Sequence, residues 1–157
     1  MHVVALQPGG VPGAGRQGNK QAIKELVGQG DVPGILAYRD GVPVAWCSVG
    51  PREHFASLER SRVLKRLDDR PVWSIVCFYI PRRHEGQGLM LALIQAAVDY
   101  VRELGGRTVE AYPTVPRSGK LPPVSSFMGI PAAFERVGFV QVARPSQAKV
   151  VLRYEIE

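Results

Sequence analysis

The residues best suited to chemistry lie at the junction of an apolar segment and a long helical pattern, in the run Ile80-Pro81-Arg82-Arg83-His84-Glu85-Gly86-Gln87-Gly88-Leu89-Met90. Its glycines allow a sharp turn and let a ligand approach the main chain. The first N–H groups of a helix have no partner within the helix and carry the positive end of its dipole, so they favour a phosphate or pyrophosphate. The run lacks the Gly-Lys-Ser/Thr of a P-loop and the three-glycine spacing of a dinucleotide-binding turn. It therefore indicates an anion-binding turn or, alternatively, a tight strand-to-helix turn without a ligand.

The segments on either side of this run have the clearest secondary-structure patterns in the chain. Residues 72–80 are almost continuously apolar and β-branched, which predicts a central strand covered on both faces. Residues 89–104 carry one narrow polar stripe on an otherwise apolar pattern, which predicts a helix that Gly105-Gly106 ends. Residues 108–112 predict a second strand, parallel to the first because a strand–helix–strand unit makes a right-handed crossover.

The rest of the chain predicts antiparallel strands and shorter helices. Two apolar runs flank Asp40-Gly41 and predict a β-hairpin. The fold class is therefore α+β, a mixed α/β arrangement with a mostly antiparallel sheet. We expect residues 1–18 to be poorly ordered or to form a partial first strand, and residues 19–157 to form a single domain. The remaining elements are predicted as helices at residues 19–27, 55–66 and 130–137 and strands at residues 139–143 and 149–156.

Composition and charge narrow the classes of protein. The 157 residues carry a net charge of +6, and no run of about 18 apolar residues exists that could span a membrane. A basic protein favours a polyanionic partner, but the basic residues are scattered and lack the aromatic pattern of single-strand binders, so we predict no nucleic-acid partner. Cys47 and Cys77 form neither a metal-type pair nor a disulfide framework. We therefore expect a cytoplasmic protein with reduced cysteines, no membrane association and no metal.

Residues 34–140 resemble the GNAT superfamily of N-acetyltransferases in the order of their elements and in two motifs. One motif is the strand at residues 76–80 followed by Gly86-Gln87-Gly88-Leu89 and the long helix. The other is Phe134-Glu135-Arg136-Val137-Gly138-Phe139, which is similar to the family's aromatic-x-x-x-Gly-Phe ending. The resemblance implies a GNAT-like central mixed sheet with a splayed parallel strand pair and helices on both faces. It also implies an acetyl-CoA-dependent acyltransferase that moves the acetyl group to a primary amine by direct attack in a ternary complex.

The family's turn motif, Gln/Arg-x-x-Gly-x-Gly/Ala, fits this sequence in two registers. As a string it matches Arg83 to Gly88, whereas by distance from the strand end it matches Glu85 to Met90. We favour the later register because it starts the helix where the apolar pattern starts. The resemblance then implies a pyrophosphate on the amides of residues 86–90, a pantetheine arm along residues 78–80, and a thioester carbonyl near the amide of Phe78 or Tyr79. The implied cofactor-binding residues are Phe78, Tyr79, Ile80, Arg83, Glu85, Gly86, Gln87, Gly88, Leu89 and Met90.

Amine acetylation requires a neutral amine, a stabilised oxyanion and, in some enzymes, a proton for the leaving thiolate. In many members of the family a tyrosine of the fourth helix supplies this proton, but Phe134 holds the matching position here. The thiolate could also leave unaided, because thiols are acidic compared with alcohols. We predict Tyr112, Glu110 and Tyr79 as the catalytic residues. The full set of candidates comprises Tyr112, Tyr79, Ser125 and Ser126 as acids and Glu110, His84 and Glu53 as bases, the bases acting directly or through water.

The acceptor pocket is predicted between the hairpin, residues 51–66 and the loop at residues 115–128, with Trp46, Ser125 and Ser126 as substrate-binding residues. The implied acceptor is a small-molecule or peptide amine, and dimers common among similar proteins suggest a homodimer. Two other functions stay open. Phe134 and Glu85 favour a CoA-binding module without catalysis, and the net charge alone favours a basic nucleic-acid-binding protein.

Overall fold

The computed structural model of the chain describes the backbone of residues 2–5 and the full structure of residues 34–118 and 127–157. Within these ranges the strands are β1 His2–Ala5, β2 Ile35–Arg39, β3 Val42–Pro51, β4 Trp73–Tyr79, β5 Thr108–Ala111, β6 Val140–Ala143 and β7 Val151–Glu155. The helices are α1 Ala56–Glu59, α2 Leu89–Glu103 and α3 Pro131–Val137, with short 3₁₀ turns at Arg52–His54 and Arg82–His84. The helix predicted at residues 19–27 lies outside the described residues.

The strands form one seven-stranded sheet in the order β1-β2-β3-β4-β5-β7-β6. β4 and β5 run parallel, and every other neighbouring pair is antiparallel. α2 provides the crossover between the two parallel strands, because strands that run in the same direction cannot be joined by a tight turn. The prediction of a mixed, mostly antiparallel sheet with one parallel pair is confirmed.

The helix predicted over residues 55–66 is wrong in its length, because α1 ends at Glu59. The guanidinium of Arg52 donates to the carbonyl oxygens of Leu58, at 3.3 Å, and of Leu64. The Leu64 amide in turn donates to Ser61 Oγ at 2.9 Å. These side-chain contacts satisfy main-chain groups that a longer helix would pair within itself, so the chain leaves the helix.

The two faces of the sheet are covered differently. α2 and α3 pack on the first face, where Leu93 and Ile94 of α2 are fully buried. Residues 52–70, which include α1, cover the second face, so helices lie on both faces as predicted. The smaller apolar cluster beneath this covering segment consists of Leu58, Leu64, Tyr112 and Val151.

A buried network of charges fixes residues 52–70 to the second face. Arg153 of β7 donates from Nε to Glu110 of β5 at 2.6 Å and from its terminal nitrogens to Asp68 at 2.7 and 3.1 Å. These hydrogen bonds from Arg153 hold the pKa of Asp68 well below its usual value, so Asp68 stays ionised. Arg52 approaches the same Glu110 at 3.7 Å. One carboxylate of the sheet therefore meets a guanidinium from β7 and another from the covering segment.

Replacing Arg153 with methionine should lower the free energy of unfolding by about 3–5 kcal/mol, because the Glu110 carboxylate would stay buried after losing its nearest counter-charge. The matched control is Arg70→Met, since Arg70 also pairs with Asp68, at 3.3 Å, but its side chain is 54% exposed. An exposed pair of this kind contributes up to about 1 kcal/mol. Urea unfolding of both variants measures the difference, and equal losses would contradict the proposed anchoring by Arg153.

Candidate functional site

The two parallel strands at the centre of the sheet separate after a short paired region. β4 and β5 pair at Trp73–Val109, Ser74–Glu110 and Ile75–Ala111, whereas β4 continues to Tyr79 beside β3. Beyond β5 the carbonyl of Pro113 accepts a hydrogen bond from Val150 at 3.4 Å, and Val115 donates to the carbonyl oxygen of Ala148 at 2.9 Å. The chain beyond β5 therefore follows β7, and a gap opens beside residues 76–79. The predicted splayed strand pair is confirmed.

The amide of Phe78 faces this gap. Phe78 pairs with Cys47 of β3, but its N–H donates to the carbonyl oxygen of Phe127 at 2.6 Å and not to β5. A carbonyl from outside the sheet thus occupies the place where β5 would have supplied an acceptor. The gap therefore contains a main-chain donor that can receive the carbonyl oxygen of a ligand if Phe127 moves away.

The turn between β4 and α2 exposes main-chain donors at the start of the helix. Gly86 and Gly88 have φ angles of +71° and +75°, in the left-handed region that glycine adopts without a steric penalty. Gly88 is the N-cap of α2, and no side chain of the described residues caps it. The first amides of α2 therefore remain available to an anion. α2 begins at Leu89, as the later register of the turn motif predicts.

The turn itself is held by side chains that the prediction assigned to the cofactor. Gln87 donates from Nε2 to the carbonyl oxygen of Arg83 at 3.2 Å, and Arg39 at the end of β2 donates to Gln87 Oε1. Arg83 Nε donates to His84 Nε2 at 3.2 Å. Gln87 and Arg83 thus stabilise the turn and connect it to the β2–β3 hairpin. Neither lies among the residues that line the adjacent cleft.

A cleft of about 550 Å³ joins the turn to the gap and runs between β4, α2 and α3. It can hold an elongated ligand with one anionic end, because the free amides of α2 lie at one end and the Phe78 amide at the other. The predicted cofactor residues that line it are Phe78, Tyr79, Ile80, Glu85, Gly86, Gly88, Leu89 and Met90.

Sequence reasoning missed the wall of the cleft that α3 and the preceding segment supply. Ala132, Ala133 and Arg136 line the cleft from α3, opposite the fully buried Phe134. Their helical spacing, two small residues and a cation one turn later, was a signal that could have indicated a ligand-facing surface. Phe127 and Ile130 also contribute, as do His84 and Leu91. Arg136 is exposed and gives this wall of the cleft a cation.

The structure brings Tyr112 and Glu110 together inside the charge network of the second face. The Tyr112 hydroxyl donates to Glu110 at 2.8 Å, lies 2.7 Å from Ser74 Oγ and accepts from Arg52 at 3.0 Å. Burial, with the nearby Glu110 charge, raises the pKa of Tyr112, and the side chain is fully buried. Their predicted catalytic roles remain predictions. The geometry indicates that both side chains have structural partners already.

The other catalytic candidates lie apart from this network. Tyr79 is 47% exposed and lines the cleft. His84 lines it too, and its Nδ1 is buried with no hydrogen-bond partner among the described residues. Glu53 is exposed and lies 3.6 Å from Arg66, in a surface ion pair. Phe134 packs on Phe78 and Phe139 with ring centroids 6.0 and 5.1 Å away.

The predicted substrate-binding residues are only partly described. Trp46 pairs with Tyr79 across β3 and β4. Phe78 packs on Phe134 of α3, so its side chain lies on the first face. Because side chains alternate along a strand, the side chain of Tyr79 lies on the second face, and so does that of its cross-strand partner Trp46. The indole Nε1 of Trp46 is buried and has no partner among the described residues. Ser125 and Ser126 lie outside the described residues.

Comparison with known families identifies the architecture. The family model described as the acetyltransferase (GNAT) family matches residues 13–119, which is more than half of the chain. The chain belongs to the acetyltransferase (GNAT) family. The enzyme-class prediction of an acetyl-CoA-dependent acetyltransferase is confirmed at the level of this family. None of the curated proteins matches the sequence.

Solved GNAT structures share the fold at low sequence identity. The protein yncA of Salmonella typhimurium, assigned as an acetyltransferase and solved with its cofactor acetyl-CoA, is 16% identical, with a TM-score of 0.58 over 88% of this chain and 73% of that one. The ribosomal-protein-alanine N-acetyltransferase of Brucella melitensis is 15% identical, with a TM-score of 0.55 over 88% and 76%. The NatC complex bound to a Gag peptide and CoA is 11% identical, with a TM-score of 0.56 over 87% and 79%. At these identities the similarity supports the fold.

The described part of the chain contains neither a membrane-spanning helix nor a cluster of metal-binding side chains. Of the helices present there, none has the length and apolar character that a bilayer crossing requires. In the same residues, no three His, Cys, Asp or Glu side chains gather in a way that could hold a metal ion.

Replacing Gly88 with glutamate should abolish acetyl-CoA binding, because it places bulk and negative charge at the free N-terminus of α2. The matched control is Gly105→Glu at the other end of the same helix, about 22 Å away for a 15-residue helix. Gly88 and Gly105 have φ angles of +75° and +78°, and a β-carbon at either would meet no atom within 4 Å. Both variants therefore share the backbone strain, of about 1–2 kcal/mol, and the added charge.

Isothermal titration with acetyl-CoA and thermal unfolding of both variants separate binding from stability. We expect binding by Gly105→Glu alone, although this variant should be the less stable of the two, because a negative charge is unfavourable at the C-terminus of a helix. Binding by Gly88→Glu at the wild-type affinity would place the anion site elsewhere.

Proposed function

We propose that this protein moves an acetyl group from acetyl-CoA to a primary amine by direct attack in a ternary complex. One observation carries the proposal: a single cleft joins the uncapped N-terminus of α2 to the Phe78 amide in the strand gap. These two groups are what the pyrophosphate and the thioester carbonyl of acetyl-CoA need. Family membership supports the same chemistry.

The cleft residues have distinct proposed roles in binding. The amides of residues 86–90 hold the pyrophosphate, with Glu85 exposed and free to point into solvent. Residues 78–80 line the pantetheine arm beside Ala132 and Ala133 of α3, where small side chains leave room. Arg136 offers a cation to the phosphates. The Phe78 amide donates to the carbonyl oxygen of Phe127, so this hydrogen bond must break before the amide can bind the thioester carbonyl.

The Phe78 amide supports the chemical step. The amine nitrogen bonds to the thioester carbonyl carbon, and the N–H of Phe78 donates to the oxygen as negative charge develops on it. Removing one donor of this kind typically costs about 10²–10³ in kcat. The carbon–sulfur bond then breaks, the electron pair leaves with sulfur, and the nitrogen gives its extra proton to solvent water. The 2.6 Å bond from Phe78 to the Phe127 carbonyl supports this role, because the amide already binds a carbonyl oxygen.

Tyr79 is the proton donor that we favour for the leaving thiolate. Among the described residues that line the cleft, Tyr79 alone has a hydroxyl, and its half-exposed side chain lies on the second face at the end of β4, beside the gap. Tyr112, by contrast, is fully buried, with its hydroxyl bonded to three side chains of the charge network. Tyr112 and Glu110 then act in catalysis only by keeping β5 and the covering segment in place.

Tyr79→Phe should lower kcat about 10- to 100-fold, near or below the lower end of general-acid effects because thiolates leave readily. The KM for acetyl-CoA should stay unchanged. Tyr112→Phe, which also removes one hydroxyl, should keep kcat near the wild-type value. It should lower the free energy of unfolding by about 1–3 kcal/mol, because it leaves buried polar groups without their hydrogen-bond partner. Steady-state kinetics and urea unfolding distinguish the two, and the reverse pattern would assign the proton to the buried network.

Acetyl-CoA should raise the unfolding temperature of the protein, because a ligand at a hundredfold excess over its Kd stabilises the folded state by about 2.7 kcal/mol. Amines should then release free CoA thiol. Binding without thiol release across a broad panel of amines would favour a CoA-binding module. Stabilisation by duplex DNA but not by acetyl-CoA would favour the nucleic-acid-binding alternative.

A further inference from the structure

Lys149, just before β7, is a partly buried cation that forms no ion pair among the described residues. Its Nζ donates to the carbonyl oxygen of Tyr112 at 3.0 Å and lies 3.0 Å from the sulfur of Met128. It forms no ion pair with any carboxylate of residues 34–118 and 127–157. Burial lowers the pKa of its ammonium below the usual value, which is the mark of a charge that its surroundings do not stabilise.

The two buried arginines on the same face, unlike Lys149, each lie next to two carboxylates of the described residues. Arg52 lies 3.0 Å from Glu59 and 3.7 Å from Glu110, and Arg153 lies 2.6 Å from Glu110 and 2.7 Å from Asp68. A carbonyl and a thioether give Lys149 dipoles but no negative charge. Because a partly desolvated ammonium is costly without a counter-charge, an anion that enters beside Lys149 gains more there than at an exposed lysine.

Lys149 lies at the mouth of the gap between β4 and β5. Thr114 bridges to Lys149, and the carbonyl of Pro113 accepts from Val150 on the β7 side. Because the main-chain carbonyls of an extended segment alternate in direction, the carbonyl of Tyr112 faces the β4 side, and the Lys149 ammonium is bonded to it.

The ammonium also lies on the second face of the sheet. Val151, two residues after Lys149, belongs to the apolar cluster of that face, as does Tyr112. The acetyl-CoA cleft runs between β4 and the helices α2 and α3 of the first face. A molecule that approaches the gap from the opposite side, where Trp46 and Tyr79 pair, therefore passes Lys149.

The described segments next to Lys149 add positive charge and no negative charge. Residues 113–118 and 127–130, which include its neighbours Thr114 and Met128, contain Arg117 and no aspartate or glutamate. A ligand beside Lys149 thus meets a sequence environment that favours an anion.

We propose that Lys149 binds a carboxylate of the acceptor, so that the acetylated amine belongs to an amino acid or to a peptide with an acidic side chain close to its N-terminus. This inference rests on the proposed acetyl transfer. It makes Lys149 a specificity-determining residue: it touches the acceptor and positions the amine in the gap, while acetyl-CoA binds on the other side.

The experiment compares acceptors that differ only in a carboxylate. Alanine and alaninamide test the α-carboxylate, and the dipeptide amides Ala-Glu-NH₂ and Ala-Gln-NH₂ test a side-chain carboxylate. Thiol release is measured with wild type, with Lys149→Met, which keeps the length without the charge, and with Lys149→Arg, which keeps the charge. Alaninamide is a weaker base than alanine, so a larger fraction of it is neutral and able to attack. This difference favours the acceptor without a carboxylate, so it cannot produce the preference that we predict.

The wild type should show a kcat/KM at least tenfold higher for the carboxylate member of one pair, and the pair that shows it identifies the source of the carboxylate. Lys149→Met should lose that preference through a higher KM for the carboxylate acceptor, with an unchanged KM for acetyl-CoA. Lys149→Arg should restore part of it. A purely structural role for Lys149 would lower activity on both members of a pair equally, and this result, or a wild type without preference, would overturn the proposal.

A second measurement does not depend on turnover. Reductive methylation, read by mass spectrometry, reports how accessible each lysine is, and Lys65 at the surface serves as the internal reference. Acetyl-Ala and acetyl-Ala-Glu-NH₂ should protect Lys149 at least threefold more than acetyl-Ala-NH₂ and acetyl-Ala-Gln-NH₂, in the pair that the kinetics favour. If the wild type releases no thiol with any amine, the proposed transfer fails, and protection by a carboxylate still decides the Lys149 subsite. Absence of protection in both pairs would exclude the subsite.

Discussion

The parting of β4 from β5 is the constraint on which the candidate site depends. Parallel strands in the middle of a sheet normally pair along their length, and here they pair only from Trp73–Val109 to Ile75–Ala111. Beyond β5 the chain pairs with the segment leading into β7, through hydrogen bonds from Val150 to Pro113 and from Val115 to Ala148, so it does not close the gap beside β4. The Phe78 amide is left facing outward as a direct result. A main-chain donor in the centre of a sheet becomes available to a ligand without any special side chain.

The charge network of the second face keeps that gap in place. Glu110 and Arg153 pair between β5 and β7, and Asp68 and Arg52 bring the covering segment onto them. Residues that sequence patterns assign to proton transfer, Tyr112 and Glu110, lie within this network. A buried hydroxyl with three partners is well suited to fixing strand positions and poorly placed to meet a substrate. The same contacts therefore hold β5 in position, whereas Tyr79 lies outside them.

The two sides of the gap differ in the kind of anion recognition they offer. On the first face the free amides of α2 present a helix terminus, with Arg136 as the cation of the lining. On the second face Lys149 presents a single ammonium whose partners among the described residues are a carbonyl and a thioether. A helix terminus suits a delocalised pyrophosphate, whereas a single ammonium suits a compact carboxylate. This difference matches a cofactor on one side and an acceptor on the other.

The sequence by itself determined the elements, the parallel pair, the turn at Gly86-Gln87-Gly88 and the start of α2, because apolar periodicity and glycine positions are local properties. It also indicated the residues of β4 and the turn that line the cleft. It could not determine that α1 stops at Glu59, since the guanidinium of Arg52, anchored elsewhere, captures the carbonyls involved. Nor could it show that Ala132, Ala133 and Arg136 face the cleft, that Tyr112 is enclosed, or that Lys149 forms no ion pair within residues 34–118 and 127–157. Those properties depend on which segments the folded chain brings into contact, and only the tertiary structure decides them.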